Sequence, residues 1–392
     1  MQPAQRMSTL GTETAFEVLA RAQQLEREGR DIINLGIGQP DFKTPGHIVE
    51  AGAKALHDGH HGYTPSPGIV PLREAVAEDI GRRRRVEVHP DRIIVVPGGK
   101  VTMFFAMMIF GEPGAQIIYP DPGFPIYESA IRFSGAEPVP IPLREERDFS
   151  FDPEELLSLI TKRTRLIIVN SPANPTGGAI RRAHLDRLVE GLADHPEVAI
   201  LSDEIYSRMT YDGIEHTSLL DYPQIADRLI VLDGWSKTYA MTGWRLGYGI
   251  WPPALVEGAT RLAVNCHSCV NASAQFAGIA ALEGPQDSVL EMVAAFDERR
   301  SAIVRGLGAL PGFRCRTPVG AFYAFPNITG TGIESETLQR RLLEEVGVAV
   351  IAGPSFGAQG EGYLRFSCAN SKENIERALS RIDGMLADDI RT

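Results

Sequence analysis

Residues 229–248 read Leu-Ile-Val-Leu-Asp-Gly-Trp-Ser-Lys-Thr-Tyr-Ala-Met-Thr-Gly-Trp-Arg-Leu-Gly-Tyr. Leu229 to Leu232 is a short, β-rich aliphatic run, closed off by Gly234. Behind it come Ser236, Lys237, Thr238, Tyr239 and Arg245, so a lysine, hydroxyls and a guanidinium gather within ten residues. Most lysines are surface solubilisers, but Lys237 stands among apolar and small residues rather than on a charged face. Burial would favour its neutral amine, the nucleophilic form.

The same arrangement recurs upstream. Val198 to Leu201 runs into Ser202-Asp203-Glu204-Ile205-Tyr206, which sets a carboxylate and a phenol near one strand end. Leu166 to Asn170 runs into Ser171-Pro172-Ala173-Asn174-Pro175-Thr176-Gly177, a turn that presents the Asn174 amide. Further β-rich runs, Arg92 to Val96, Gln116 to Tyr119 and Leu246 to Ile250, are mostly separated from these by helix-like stretches. Alternation of this kind predicts an open α/β sheet with ligands outside the carboxyl ends of its strands. The chemistry-bearing residues fall there.

From about Pro285 the pattern changes to an amphipathic stretch, Ser288 to Leu310, then strand-like Ala321 to Phe325, Val348 to Ile351 and Tyr363 to Phe366, then a closing helix. This predicts a smaller α+β domain. An amino-terminal helix, Glu13 to Glu28, precedes the loop Gly36-Ile37-Gly38-Gln39-Pro40, whose glycines let backbone approach a ligand.

A chain of 392 residues exceeds the usual size of a single core, which favours two domains. A net charge of −11 disfavours nucleic acid and anionic lipid as partners. The run Arg82 to Arg85 reads as a solvated helix end complementing the helix dipole. Glu13, Glu17 and Glu26 break up the first thirty residues, so no signal peptide is expected there and a cytoplasmic location is. The longest apolar run, Val101 to Phe110, is too short to span a bilayer. Four cysteines give no disulfide framework, and Cys266 and Cys269 lack a second pair for a metal, so no metal is expected.

The motifs Asn174-Pro175-Thr176-Gly177, Asp203-Glu204-Ile205-Tyr206 and Ser236 to Arg245 resemble those of fold-type I pyridoxal-phosphate enzymes, in particular the class I/II aminotransferases of the aspartate and aromatic group. The resemblance runs over nearly the whole chain. It implies a large α/β domain, residues 48–284, with a mostly parallel seven-stranded sheet, and a small domain built from both termini, 1–47 and 285–392. It also implies pyridoxal 5′-phosphate as cofactor, ping-pong transfer of an amino group from an amino acid to a 2-oxo acid, and a homodimer with shared sites.

Carried over residue by residue, Lys237 is similar to the lysine that holds the cofactor covalently and shuttles the substrate proton. Asp203 matches the carboxylate beside the pyridine nitrogen, where it sustains the ring as an electron sink. Tyr206 and Asn174 match groups that bond the ring oxygen, and Asn174 also borders the substrate. Arg245, Ser236 and the turn Gly98-Gly99-Lys100 match the phosphate site, with Arg245 expected to be buried between Trp244 and Leu246. Tyr63 resembles a tyrosine lent to the neighbouring subunit's phosphate, and Phe124 the aromatic that stacks on the ring. Arg365 resembles the grip on the substrate α-carboxylate, helped by the Gly38 N–H.

Two departures bear on this reading. Gly234 stands where many relatives have a second phosphate-binding hydroxyl. Lys100 stands where some aspartate-using relatives have a lysine that contacts the substrate's distal carboxylate, which the resemblance makes a hint of an acidic substrate, yet Glu13 would repel one if it faced the pocket. Aspartate or glutamate is the first expectation for substrate, aromatic or other neutral amino acids the second, and a specialised biosynthetic substrate the third. A β-eliminating lyase on the same scaffold and an inactive cofactor-binding sensor are the rivals.

Overall fold

The computed structural model describes residues 1–391. Seven strands share one sheet: β1 (Ile93–Val96), β2 (Gln116–Asp121), β3 (Glu137–Pro142), β4 (Thr164–Asn170), β5 (Ala199–Asp203), β6 (Leu229–Gly234) and β7 (Gly247–Ile250). Their order is β1-β7-β6-β5-β4-β2-β3. Neighbours from β3 across to β6 are parallel, whereas β7 is antiparallel to both β6 and β1.

The alternation of side chains explains why both faces are covered. In β1, Ile93 and Val95 enter one apolar cluster and Ile94 and Val96 another. Ile167 and Val169 of β4 likewise oppose Leu166 and Ile168. A sheet that is apolar on each face must be packed with helices on each face, which is why its strands read as unbroken aliphatic runs.

Six of these strands were legible in the sequence and β3 was not. It carries Pro138, Pro140 and Pro142, which cannot donate to a ladder, and it survives because it lies at the edge and pairs only with β2.

Toward the carboxyl terminus, Leu364–Ser367 is the middle of a three-stranded antiparallel sheet, between Ile351–Ala352 and Tyr323–Ala324. The single strand expected over 348–351 is divided. Val348–Ala349 pairs in parallel with Ile33–Asn34 near the amino terminus, while Ile351–Ala352 joins the other sheet. Ile33 and Leu35 pack in one apolar cluster with Phe296, Leu338, Phe366 and Ile375. The helix expected from Ser288 forms over Asp287–Ala309. Among the described residues no helix is long and apolar enough to cross a membrane.

The arginine run is more engaged than a solvated helix end. Arg82 and Arg83 turn back onto Asp79 at 2.8 and 2.7 Å, and Arg84 donates to the His216 carbonyl at 2.6 Å.

Candidate active site

A cleft of about 500 Å³ opens at the carboxyl edge of the parallel strands. Asn170 and Asp203 end β4 and β5, Ser236 and Lys237 lie just past β6, and Gly99 and Lys100 begin the helix after β1. Because β7 runs the other way, its amino end lies at this edge, and Arg245, two residues before it, faces the same cleft.

At the floor, Lys237 Nζ donates to the Gly38 carbonyl at 2.5 Å. Burial, and next the positive charge of Arg365, lower the Lys237 amine to about 8. The Asp203 carboxyl is pushed up to about 6 by burial, although the Tyr127 hydroxyl donates to it at 2.6 Å. Arg365 is buried; it donates to Asn174 Oδ1 at 2.8 Å and to the Gly36 carbonyl at 2.5 Å, while its Nε has no partner among the described residues. Tyr206 and Tyr323 join hydroxyl to hydroxyl at 2.8 Å, and burial raises the Tyr206 phenol well above its ordinary value.

A second corner is shaped by backbone. Gly98 has φ +90°, and a Cβ there would lie 2.2 Å from Arg245 Nη2. Arg245 donates to the Thr242 carbonyl at 2.9 Å and the Pro97 carbonyl at 3.3 Å. It is exposed at the cleft rim rather than buried, and its backbone is left-handed, with φ 52°.

Most residues singled out from sequence thus meet. Gly38, Gly99, Lys100, Phe124, Asn174, Asp203, Tyr206, Ser236, Lys237, Arg245 and Arg365 all line the cleft, with Gly98 directly behind Arg245. Tyr63 does not: it is 93% exposed and outside the cleft of its own chain. Lys100 lines the cleft, but its ammonium is paired with Glu13 and lies 5.2 Å over the Phe124 ring.

A sequence profile of the aminotransferase class I and II family matches residues 30–382. The chain belongs to that family. An aspartate aminotransferase of Pyrococcus horikoshii is 39% identical over 98% of this chain and 97% of its own. The crystal structure of the aspartate aminotransferase from Rhizobium meliloti superposes with a TM-score of 0.94 at 35% identity, covering 99% of each chain. A Thermus thermophilus aspartate aminotransferase solved with maleate gives a TM-score of 0.93 at 33% identity over 98% of this chain and 99% of that one.

Class I and II aminotransferases are pyridoxal-phosphate enzymes, and this aminotransferase is one. Its cleft fits the cofactor on its own evidence. A half-buried amine stands in the same cleft as a buried carboxylate, and a rim arginine meets a glycine turn whose Cβ-free surface lets the guanidinium close on it. The orphaned Arg365 Nε marks a place for an anion beside the amine.

Tyr127 and Tyr323 went unnoticed in the sequence. Tyr127 follows Phe124 by three residues, in the first turn of the helix Ile126–Ser134, and the two rings meet edge-on with centroids 5.8 Å apart; that spacing was the available signal. Tyr323 lies in a two-residue strand whose alternation says nothing about a cleft.

Proposed function

We propose that Lys237, Asp203 and Arg365 divide the work of moving an amino group from an L-amino acid to a 2-oxo acid in a ping-pong cycle. The observation that carries this is the Lys237 amine, lowered to about 8, in one cleft with a buried carboxylate and a buried arginine that has a free donor. When bound, pyridoxal phosphate supplies an aldehyde for the amino group and a ring that draws electrons from the substrate Cα–H bond.

Lys237 Nζ would hold the aldehyde carbon and, once displaced by the incoming amine, take the Cα proton and give it back. A base lowered to about 8 is close to matched for that transfer near neutral pH. Asp203 would face the ring nitrogen, its buried charge favouring a protonated ring. Tyr206 and the Asn174 amide would bond the ring oxygen, and Phe124 would cover the ring face. Arg245, Ser236 and the backbone N–H groups of the Gly98-Gly99-Lys100 turn would hold the phosphate at a helix start. Arg365, oriented by Asn174, would fork onto the α-carboxylate, with the Gly38 N–H beside it.

Three further assignments belong to this reading. Residues 48–284 form the large domain, and 1–47 with 285–392 the small one, supported by the parallel pairing of Ile33–Asn34 with Val348–Ala349. Two copies form a homodimer in which the exposed Tyr63 reaches the neighbour's phosphate site. The location is cytoplasmic, in keeping with four free cysteines.

The test is an absorbance titration of the purified holoenzyme with a panel of amino acids. Loss of the cofactor's lysine-bound band on adding a donor, and its return on adding a 2-oxo acid, is the expected result. Pyruvate and ammonia released from a β-substituted amino acid, with no acceptor present, would indicate elimination instead.

A further inference from the structure

The charges that line the cleft are Glu13, Lys100, Asp203, Lys237, Arg245 and Arg365. On the reading above, four of them have duties toward cofactor and substrate backbone: Arg245 to the phosphate, Asp203 to the ring nitrogen, Lys237 to the aldehyde and Arg365 to the α-carboxylate. Glu13 and Lys100 remain, and they are paired with each other. The carboxylate is the more enclosed partner, with 17% of its side chain exposed against 42% for Lys100.

Glu13 is also placed unlike an ordinary helix-start residue. It occupies the N-cap of the helix Thr14–Arg27, a position favoured by Ser, Thr, Asp and Asn, and its side chain makes no capping bond. The carboxylate is turned to Lys100 instead. It is near enough to act electrostatically on both Lys237 and Arg365. The cleft also has apolar walls, Ile37, Met103 and Phe356 among them.

We propose that Glu13 is a specificity-determining residue: by neutralising Lys100 it closes the side-chain subsite to a second carboxylate, so that the preferred substrates are amino acids with uncharged, apolar side chains. This rests on the aminotransferase reading and decides between the acidic and neutral substrates that reading leaves open. A dicarboxylic substrate would have to displace Glu13 from Lys100 and then lie beside the freed carboxylate, a like-charge contact with no cation left over. An aliphatic or aromatic side chain meets apolar walls and leaves the ion pair intact. One cleft serves both halves of the cycle, so the preferred 2-oxo acids are also those with uncharged side chains.

The experiment follows single half-reactions of the holoenzyme with phenylalanine, methionine, aspartate and glutamate. The wild type should favour the apolar pair in kcat/KM by at least about tenfold, one modest charge penalty. Glu13→Ser, which also offers the helix a better cap, should raise kcat/KM for aspartate by about tenfold or more while that for phenylalanine changes less than about threefold. Succinate, which binds without reacting, should bind more tightly to Glu13→Ser by calorimetry, and Glu13→Ser with Lys100→Met should lose both gains. A wild type that prefers aspartate, or a Glu13→Ser variant with unchanged aspartate turnover and succinate affinity, overturns the proposal. Absence of conversion by every amino acid would instead sink the aminotransferase reading beneath it.

Discussion

The floor and the rim of the cleft are built by different physics. At the floor, Asp203 and Arg365 are buried, and burial is the largest influence on Asp203 and on the half-buried Lys237 amine, moving the first up to about 6 and the second down to about 8. At the rim, Arg245 is exposed and the Lys100 side chain is 42% exposed, so partners rather than desolvation decide what these cations can do. Burial makes reactivity, because it changes which protonation state is cheap. At an exposed rim, selectivity depends on how the charges are paired. Substitutions at the floor should therefore stop the reaction, and those at the rim should redirect or loosen it.

The largest expected effect is at Lys237. On the proposed reading Lys237→Ala removes both the covalent hold and the proton carrier, and turnover should fall by at least about 10⁴-fold, the upper end for general acid–base catalysis alone. A cofactor-free Lys237→Met protein sharpens the point through stability. The folded amine sits at about 8 against an ordinary 10.5, so between these values the unfolded chain holds more protons. Stability of the wild type thus rises with pH across that window. Thermal melts should show Lys237→Met more stable than wild type at pH 7, with the difference shrinking above pH 8. Equal melting temperatures at pH 7 would mean that the amine is not held against its charge.

Arg365→Ala should come next. Truncating a buried, hydrogen-bonded charge costs several kcal/mol, so kcat/KM should drop by about 10²-fold or more, mostly through KM. It would also leave the Gly36 carbonyl and Asn174 Oδ1 without their donor. A fall confined to kcat would break the comparison, since it would place Arg365 in chemistry rather than in substrate binding.

At the rim, Gly98→Ala should weaken cofactor retention by about tenfold while kcat at saturating cofactor changes little, because strain at a positive φ is of order 1–3 kcal/mol. The new methyl would stand where Arg245 Nη2 now lies, 2.2 Å away, so the guanidinium must move. Dialysis followed by cofactor fluorescence reads the loss. Retention equal to wild type would mean that the turn can shift without disturbing the guanidinium.

The same division explains what could be read from sequence. Strand ends rich in polar groups gave the floor away, because an aliphatic run followed by Asp203, or by Lys237, is uncommon unless the strand ends at a site. The edge strand β3 was hidden by its prolines, which argue against a strand until its single partner is known. The split of residues 348–352 between two sheets was hidden because both halves are equally buried. Arg245 was expected to be buried on the character of its neighbours, but it stands exposed on a left-handed backbone, φ 52°, that those neighbours do not reveal. The Glu13–Lys100 pair joins residues 87 apart in sequence, and only the fold brings them together.

The smallest expected effect tests the floor from its second layer. Tyr127 donates to Asp203 Oδ2 at 2.6 Å, and that bond partly offsets the burial that pushes the carboxyl up to about 6. Tyr127→Phe keeps the ring and its edge-on packing against Phe124, with centroids 5.8 Å apart, and deletes only the donor. A hydrogen bond to a charged group is worth about 1.5–3 kcal/mol, which corresponds to about one pH unit or more. In the cofactor-free protein, carbon NMR of Asp203 should therefore titrate above 6. On the proposed reading the cofactor's ring nitrogen would take over part of the donor's task in the holoenzyme, so turnover should fall only about three- to tenfold, with the acid limb of kcat displaced to higher pH. An unmoved carboxyl titration would show that solvent or a backbone N–H replaces the phenol, and that the floor is less sealed than its burial implies.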